Sequence, residues 1–136
     1  MMKKQVLTID QMKRLKALGV DTSIASMYWT YPVAPEHIAR LTPVGEKGNL
    51  KSWEEREYGI GAFTLQDLLE IIPPRLEKKY MFILYKVAPD YICEYSYSSS
   101  DSTLNTAPVG AILDTVYEML IWVVEHNYIQ KKYLIK

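Results

Sequence analysis

The side chains with the greatest chemical reach in this chain are few: one cysteine, Cys93, and two histidines, His37 and His126, among 16 acidic and 16 basic residues. A cysteine acts as a nucleophile only beside an activating base or cation. No spacing in the sequence nominates one, and Cys93 falls on the inward face of an expected hairpin, where a small buried thiol is the simpler reading. His37 and His126 lie far apart, and neither has a companion at metal-ligand spacing, so no metal site is expected. Paired carboxylates can do acid–base chemistry. Glu118, set within an apolar helix, is the best single candidate for a perturbed carboxyl. Its competing reading is a glutamate on the one solvent-facing strip of that helix, since charged residues are rarely buried unpaired. Gly59-Ile60-Gly61 has only two glycines and precedes a short helix without a basic partner, so it is not a phosphate loop. No catalytic residue, cofactor or metal is expected from these patterns.

A second kind of chemistry is suggested by Lys78-Lys79-Tyr80-Met81-Phe82-Ile83-Leu84-Tyr85-Lys86, which interleaves basic and aromatic residues as nucleic-acid stacking platforms do. The formal net charge is zero, however, so the broad positive field behind most non-specific nucleic-acid affinity is missing. The sequence signatures of RNA-binding sheets are missing as well. The 11 tyrosines serve more economically at core edges and interfaces, where an apolar ring and a polar tip are both useful.

These residues must be held by elements, and the first is strongly specified. Thr8 and Gln11 have the spacing of a capping box, Leu7 and Met12 that of a hydrophobic staple, and Asp10 suits the first turn. Gly19 then offers a left-handed cap with Val20 folding back on Leu15, giving a helix over residues 9–18. Thr64 and Asp67, with Phe63 and Leu68, repeat this grammar, and Pro73-Pro74 ends the second helix near Ile71 or Ile72. Asp21-Thr22-Ser23 forms a polar turn. The strand after it, residues 27–31, alternates Met27, Trp29 and Tyr31 on an inward face with Tyr28 and Thr30 on the other. Pro32 and Pro35 close that strand. Short strands are expected at 39–44 and 53–60, with a turn at 46–49. The run Glu54-Glu55-Arg56-Glu57 reads as a solvated face or an edge-strand guard.

Residues 79–87 and 91–98 form the clearest hairpin, turning at Ala88-Pro89-Asp90. An even loop pairs Phe82 with Tyr97 and Leu84 with Tyr95 on the core face. Met81, Ile83, Tyr85 and Ile92 share the reverse face with Glu94 and Ser96, and a face this apolar asks for a cover. Residues 98–102 form a polar connector. A third helix runs from Thr106 or Pro108 to about Glu125, apolar nearly all round and therefore buried on more than one side. The tail, residues 128–136, adds an edge strand or lies over the sheet.

The segments LTIDQMKRLKALGVDTSIASM, AFTLQDLLEIIP and LDTVYEMLIWVVEHNYI resemble a group of small proteins of unknown function from gut anaerobic bacteria, often encoded near phage-like or other mobile elements. The resemblance covers about a third of the chain. It implies an α+β domain and carries no catalytic residues, because the matching positions are caps, staples and core apolars.

At 136 residues, 49% apolar and 24% charged, the chain is expected to be a single compact α+β domain spanning residues 1–136. The element order points to an antiparallel sheet of about four to five strands with three helices packed mainly on one face. A single cysteine, no apolar run behind the N-terminal lysines and no membrane-length apolar segment make it a cytoplasmic protein by expectation, and the resemblance implies a bacterial one. The leading functional expectation is a non-enzymatic module that binds itself or another protein. Tyr28, Met81, Ile83 and Tyr85 are its candidate contact residues. A nucleic-acid-binding accessory protein and a small enzyme using carboxylate acid–base chemistry are the alternatives.

Overall fold

The structure is a computed structural model, and it describes residues 5–31, 40–43, 54, 58–97 and 102–135. The chain is α+β and divides into two units, Met1–Asp67 with Lys132–Lys136, and Leu68–Lys131. Each has its own sheet. Among the described residues, no helix is long and apolar enough to cross a membrane. His37, Trp53, the prolines Pro32 and Pro35, and the turn expected at 46–49 lie outside the described residues.

In the first unit, α1 (Ile9–Ala17) begins with the expected reciprocal cap. Gln11 N–H donates to Thr8 Oγ1 at 3.2 Å and Thr8 N–H donates to Gln11 Oε1 at 3.0 Å. At the other end Gly19, at φ +99°, lets its own N–H reach the Lys16 carbonyl and the Val20 N–H reach the Leu15 carbonyl. That is the Schellman pairing, and it seats Val20 and Leu15 in the core. Leu7 and Met12, the staple pair, are also fully buried. A single 3-10 turn (Thr22–Ile24) follows, then β1 (Met27–Thr30), β2 (Arg40–Pro43) and β3 (Gly59–Ala62). These strands form an antiparallel sheet in the order β2-β1-β3, with Tyr28 opposite Thr42 and Gly61. α1 packs on β3. The tail joins this unit: a 3-10 turn (Lys131–Tyr133) leads to Leu134, which bridges Val20.

One expectation is reversed here. Tyr28, expected to face outward as a contact residue, is 4% exposed, whereas Met27, Trp29 and Tyr31 are only half-buried. Strand alternation is intact, but the face carrying Tyr28 is covered as well. Its cross-strand neighbour Gly61 has no side chain, and the Thr22 carbonyl and Ala25 lie close over that position. The inward row anchors by another route: Trp29 Nε1–H donates to the Leu7 carbonyl at 2.9 Å.

The unit boundary falls within α2 (Leu65–Ile71), which ends ahead of Pro73-Pro74. In the second unit, β4 (Arg75–Leu76), β5 (Tyr80–Val87), β6 (Asp90–Tyr97) and β7 (Ser102–Thr106) form a four-stranded antiparallel sheet in sequence order. The expected four-stranded antiparallel sheet is therefore present, and the remaining strands make the separate three-stranded sheet of the first unit. The hairpin turn is the two residues Ala88-Pro89, so Val87 pairs with Asp90, Phe82 with Tyr95 and Leu84 with Cys93. The partners are shifted by two from those expected, which leaves every side chain on its expected face.

Strand β7 was not expected, because its polar sequence STLNT carries no alternation and only pairing with β6 makes it a strand. It delays the third helix. α3 (Ile112–Glu125) starts after Gly110, whose N–H and carbonyl exchange hydrogen bonds of 3.0 and 2.8 Å with Tyr91. α3 packs against β6 and buries nine of its fourteen residues, as an all-round apolar helix must. Tyr95 is fixed between them. Its ring lies near Phe82 and Trp122, and its hydroxyl donates to the Pro73 carbonyl at 2.6 Å.

Candidate functional site

Three of the four expected contact residues share one surface. On β5, Met81, Ile83 and Tyr85 are 44%, 38% and 42% exposed, and Val87 extends the row at 45%. Tyr28 is not part of it. Pairing in β5–β6 places Ser96, Glu94, Ile92 and Asp90 beside this row on the same face. The Tyr85 hydroxyl interacts with Glu94, and desolvation followed by that negative charge and the hydrogen bond pushes its pKa up. The face is thus an apolar row flanked by carboxylates. Lys86, one of the three lysines behind the nucleic-acid reading, points to the opposite face by alternation.

The edge of the same strand is only partly paired among the described residues. β4 reaches only to Tyr80 and Met81, and the Phe82 N–H is taken by the Pro74 carbonyl at 3.0 Å. Alternation turns the backbone groups of Leu84 and Lys86 the same way as Phe82. Among the described residues, no strand pairs with them on that side.

The other residues singled out for chemistry are absorbed by the fold. Cys93 is fully buried, its Sγ donates to the Thr115 carbonyl at 3.4 Å, and burial pushes its pKa up to about 11. A thiol so held is protonated at neutral pH and inert. Glu118 is half-buried and shares the partly exposed strip of α3 with Asp114 and Trp122. His126 follows the same helix, stacked on Trp122 at 4.6 Å, and Tyr128 stacks on that indole at 5.4 Å. Among the described residues, no group of three or more His, Cys, Asp or Glu side chains is placed to hold a metal ion.

A cleft in the first unit was not legible in the sequence. It encloses about 750 Å³, and among the described residues Lys13, Lys16, Ala17, Tyr31, Glu54, Gly59 and Ile60 line it. Glu54 is only 7% exposed. Its Oε2 accepts from Thr22 Oγ1 at 2.6 Å and from the Gly61 N–H at 2.7 Å. Among the described residues Gly61 lies on the outer strand of its sheet, β3, and this carboxyl accepts its N–H where a neighbouring strand would. Glu54, expected on a solvated face or as an edge-strand guard, is instead buried and outside any strand, while residues 55–57 lie outside the described residues. Across the cleft, the Lys13 ammonium stands 5.3 Å from the centre of the Tyr31 ring. The sequence marks Glu54 only as a carboxylate following Trp53, and the fold alone brings it to Gly61.

No protein-family model, curated protein or solved structure matches this chain.

Proposed function

We propose that the protein is a self-associating interaction module, and that β5 is its interface, pairing antiparallel with β5 of a second copy. One observation carries this reading: the exposed row Met81, Ile83, Tyr85, Val87 lies on a strand whose edge at Leu84 and Lys86 no strand pairs with among the described residues. An antiparallel pairing of identical strands is isologous and closes after two copies. Centred on Tyr85, it sets Ile83 against the partner's Val87 and Tyr85 against the partner's Tyr85, so the apolar rows of both copies join into one strip. On the opposite face, Lys86 comes beside the partner's Leu84 and not the partner's Lys86. The zero net charge offers no long-range repulsion between copies. An exposed edge with an apolar face is a hazard unless it is paired, and pairing with itself removes the hazard.

The flanking carboxylates Asp90 and Glu94 weigh against the nucleic-acid alternative, since a phosphate backbone seeks cations. Within this proposal the chain works as a cytoplasmic bacterial protein of the mobile-element-associated kind that it resembles.

Sedimentation velocity over roughly 5 to 500 μM is the test, a span that covers micromolar self-affinity. A dimer is expected, and Ile83→Lys with Tyr85→Lys should yield monomer while its urea midpoint stays near that of the unmodified chain at concentrations too low for dimer. A monomer at every concentration overturns the proposal, and so does a dimer that both substitutions leave intact.

A further inference from the structure

The cleft of the first unit presents opposite charges on facing elements without joining them. On one side Glu54 is more than nine-tenths buried, and both of its hydrogen bonds fall on Oε2. Among the described residues, Oε1 has no donor, although the side chain lines the cleft. No buried side-chain oxygen lacks a partner among the described residues, so Oε1 is the oxygen that remains reachable from the cleft, where a charged donor would bind it most strongly. On the other side Lys13 and Lys16 lie three residues apart on α1, which puts them on one helix face. Neither ion-pairs with Glu54 among the described residues. Two neighbouring ammonium groups repel one another, and an anion placed between them removes the repulsion. Between these groups Ala17 and the Tyr31 ring supply carbon surface, over an almost wholly buried Ile60. Gly59 is bare backbone there, because a Cβ on it would stand 2.1 Å from the Trp29 carbonyl oxygen.

We propose that this cleft is a binding site for a small zwitterion of the amino-acid type. Its carboxylate is held by Lys13 and Lys16, and its ammonium donates to Glu54 Oε1. The carbon chain between them lies along Tyr31 and Ala17. Neither a plain anion nor a plain cation satisfies both walls, so the site selects molecules that carry both charges. The volume of about 750 Å³ accommodates a ligand of this size. Every group named belongs to the first unit, so the proposal stands apart from self-association through β5.

Isothermal titration calorimetry on the full chain tests it. The probes are the unbranched ω-amino acids from glycine through γ-aminobutyrate to ε-aminocaproate, set against acetate and ethylammonium. One chain length should bind with a dissociation constant below about 1 mM, at least about tenfold tighter than either single-charge probe. The double variant Lys13→Gln, Lys16→Gln should lose about tenfold or more in affinity at an unchanged urea midpoint, because both side chains lie on the surface of α1. Glu54→Gln keeps an acceptor for Thr22 and Gly61 and should weaken the same probe. If it does not fold, the lysine variant decides. Failure of every zwitterion to bind up to roughly 10 mM overturns the proposal, as does acetate binding equally well or a lysine variant indistinguishable from the unmodified chain.

Discussion

Cys93 and Gly61 show how single positions carry the fold. The Cys93 thiol has an ordinary pKa of 9.0 and is raised to about 11, mainly by burial. Because the folded value is the higher one, its stabilising contribution is complete below about pH 9 and is lost as the pH rises through about 11. Ellman's reagent at pH 8 should therefore find no thiol in the folded protein and one equivalent after unfolding. In Cys93→Ala the fall in urea midpoint across that alkaline window should be shallower. Gly61 is required for a different reason. A Cβ there would stand 1.9 Å from the Thr22 carbonyl oxygen, with backbone on both sides of the contact. Gly61→Ala should cost about 3 kcal/mol or more in urea unfolding. Gly110→Ala, with nothing within 4 Å of its built Cβ, should stay within about 0.5 kcal/mol.

At the scale of elements, two helices open with the same device but unequal stakes. Thr8 caps α1 through an exposed pair of bonds with Gln11, so Thr8→Ala should cost about 1 kcal/mol. Asp67 does more. It accepts the Thr64 N–H at 3.0 Å to complete the cap of α2, and it also accepts the Ser26 N–H at 3.0 Å and the Ser26 hydroxyl, tying the start of β1 to that helix. Asp67→Ala should cost about 2–3 kcal/mol, since the cap and the long-range bonds are lost together. Comparing the two denaturation midpoints checks the ranking. Both caps were legible in the sequence, because a cap is local chemistry over four residues. The second role of Asp67 was not, because Ser26 is 41 positions away.

For the whole molecule, the consequence of self-association is mass action. If β5 pairs with a second copy, thermal stability should rise with protein concentration, and Tyr85→Lys should abolish that rise. A calorimetric melting series at several concentrations reads it directly. A Tm independent of concentration in the unmodified chain would agree with a monomer and count against β5 as an interface. The exposed row of β5 was legible in the sequence. Met81, Ile83 and Tyr85 could be assigned to one face because strand alternation survives any register shift of two. Tyr28 was misplaced because alternation sorts residues into two faces without saying which faces are covered.

By itself the sequence determined the caps, the helix stops at Gly19 and Pro73, the hairpin's two faces and the α+β class. Each of these depends on neighbours a few residues apart or on a period of two or 3.6. Only the tertiary structure decided that Tyr28 is buried, that 102–106 is a strand, and that the strands divide between two sheets. It alone brought Glu54 to Gly61 and set Lys13 and Lys16 facing the same cleft. Those outcomes rest on contacts between residues far apart in the chain, such as Thr22 over Gly61 and β7 beside β6. No local pattern encodes such contacts, because the free energy that selects them comes from burial and hydrogen bonding realised only once the chain has folded.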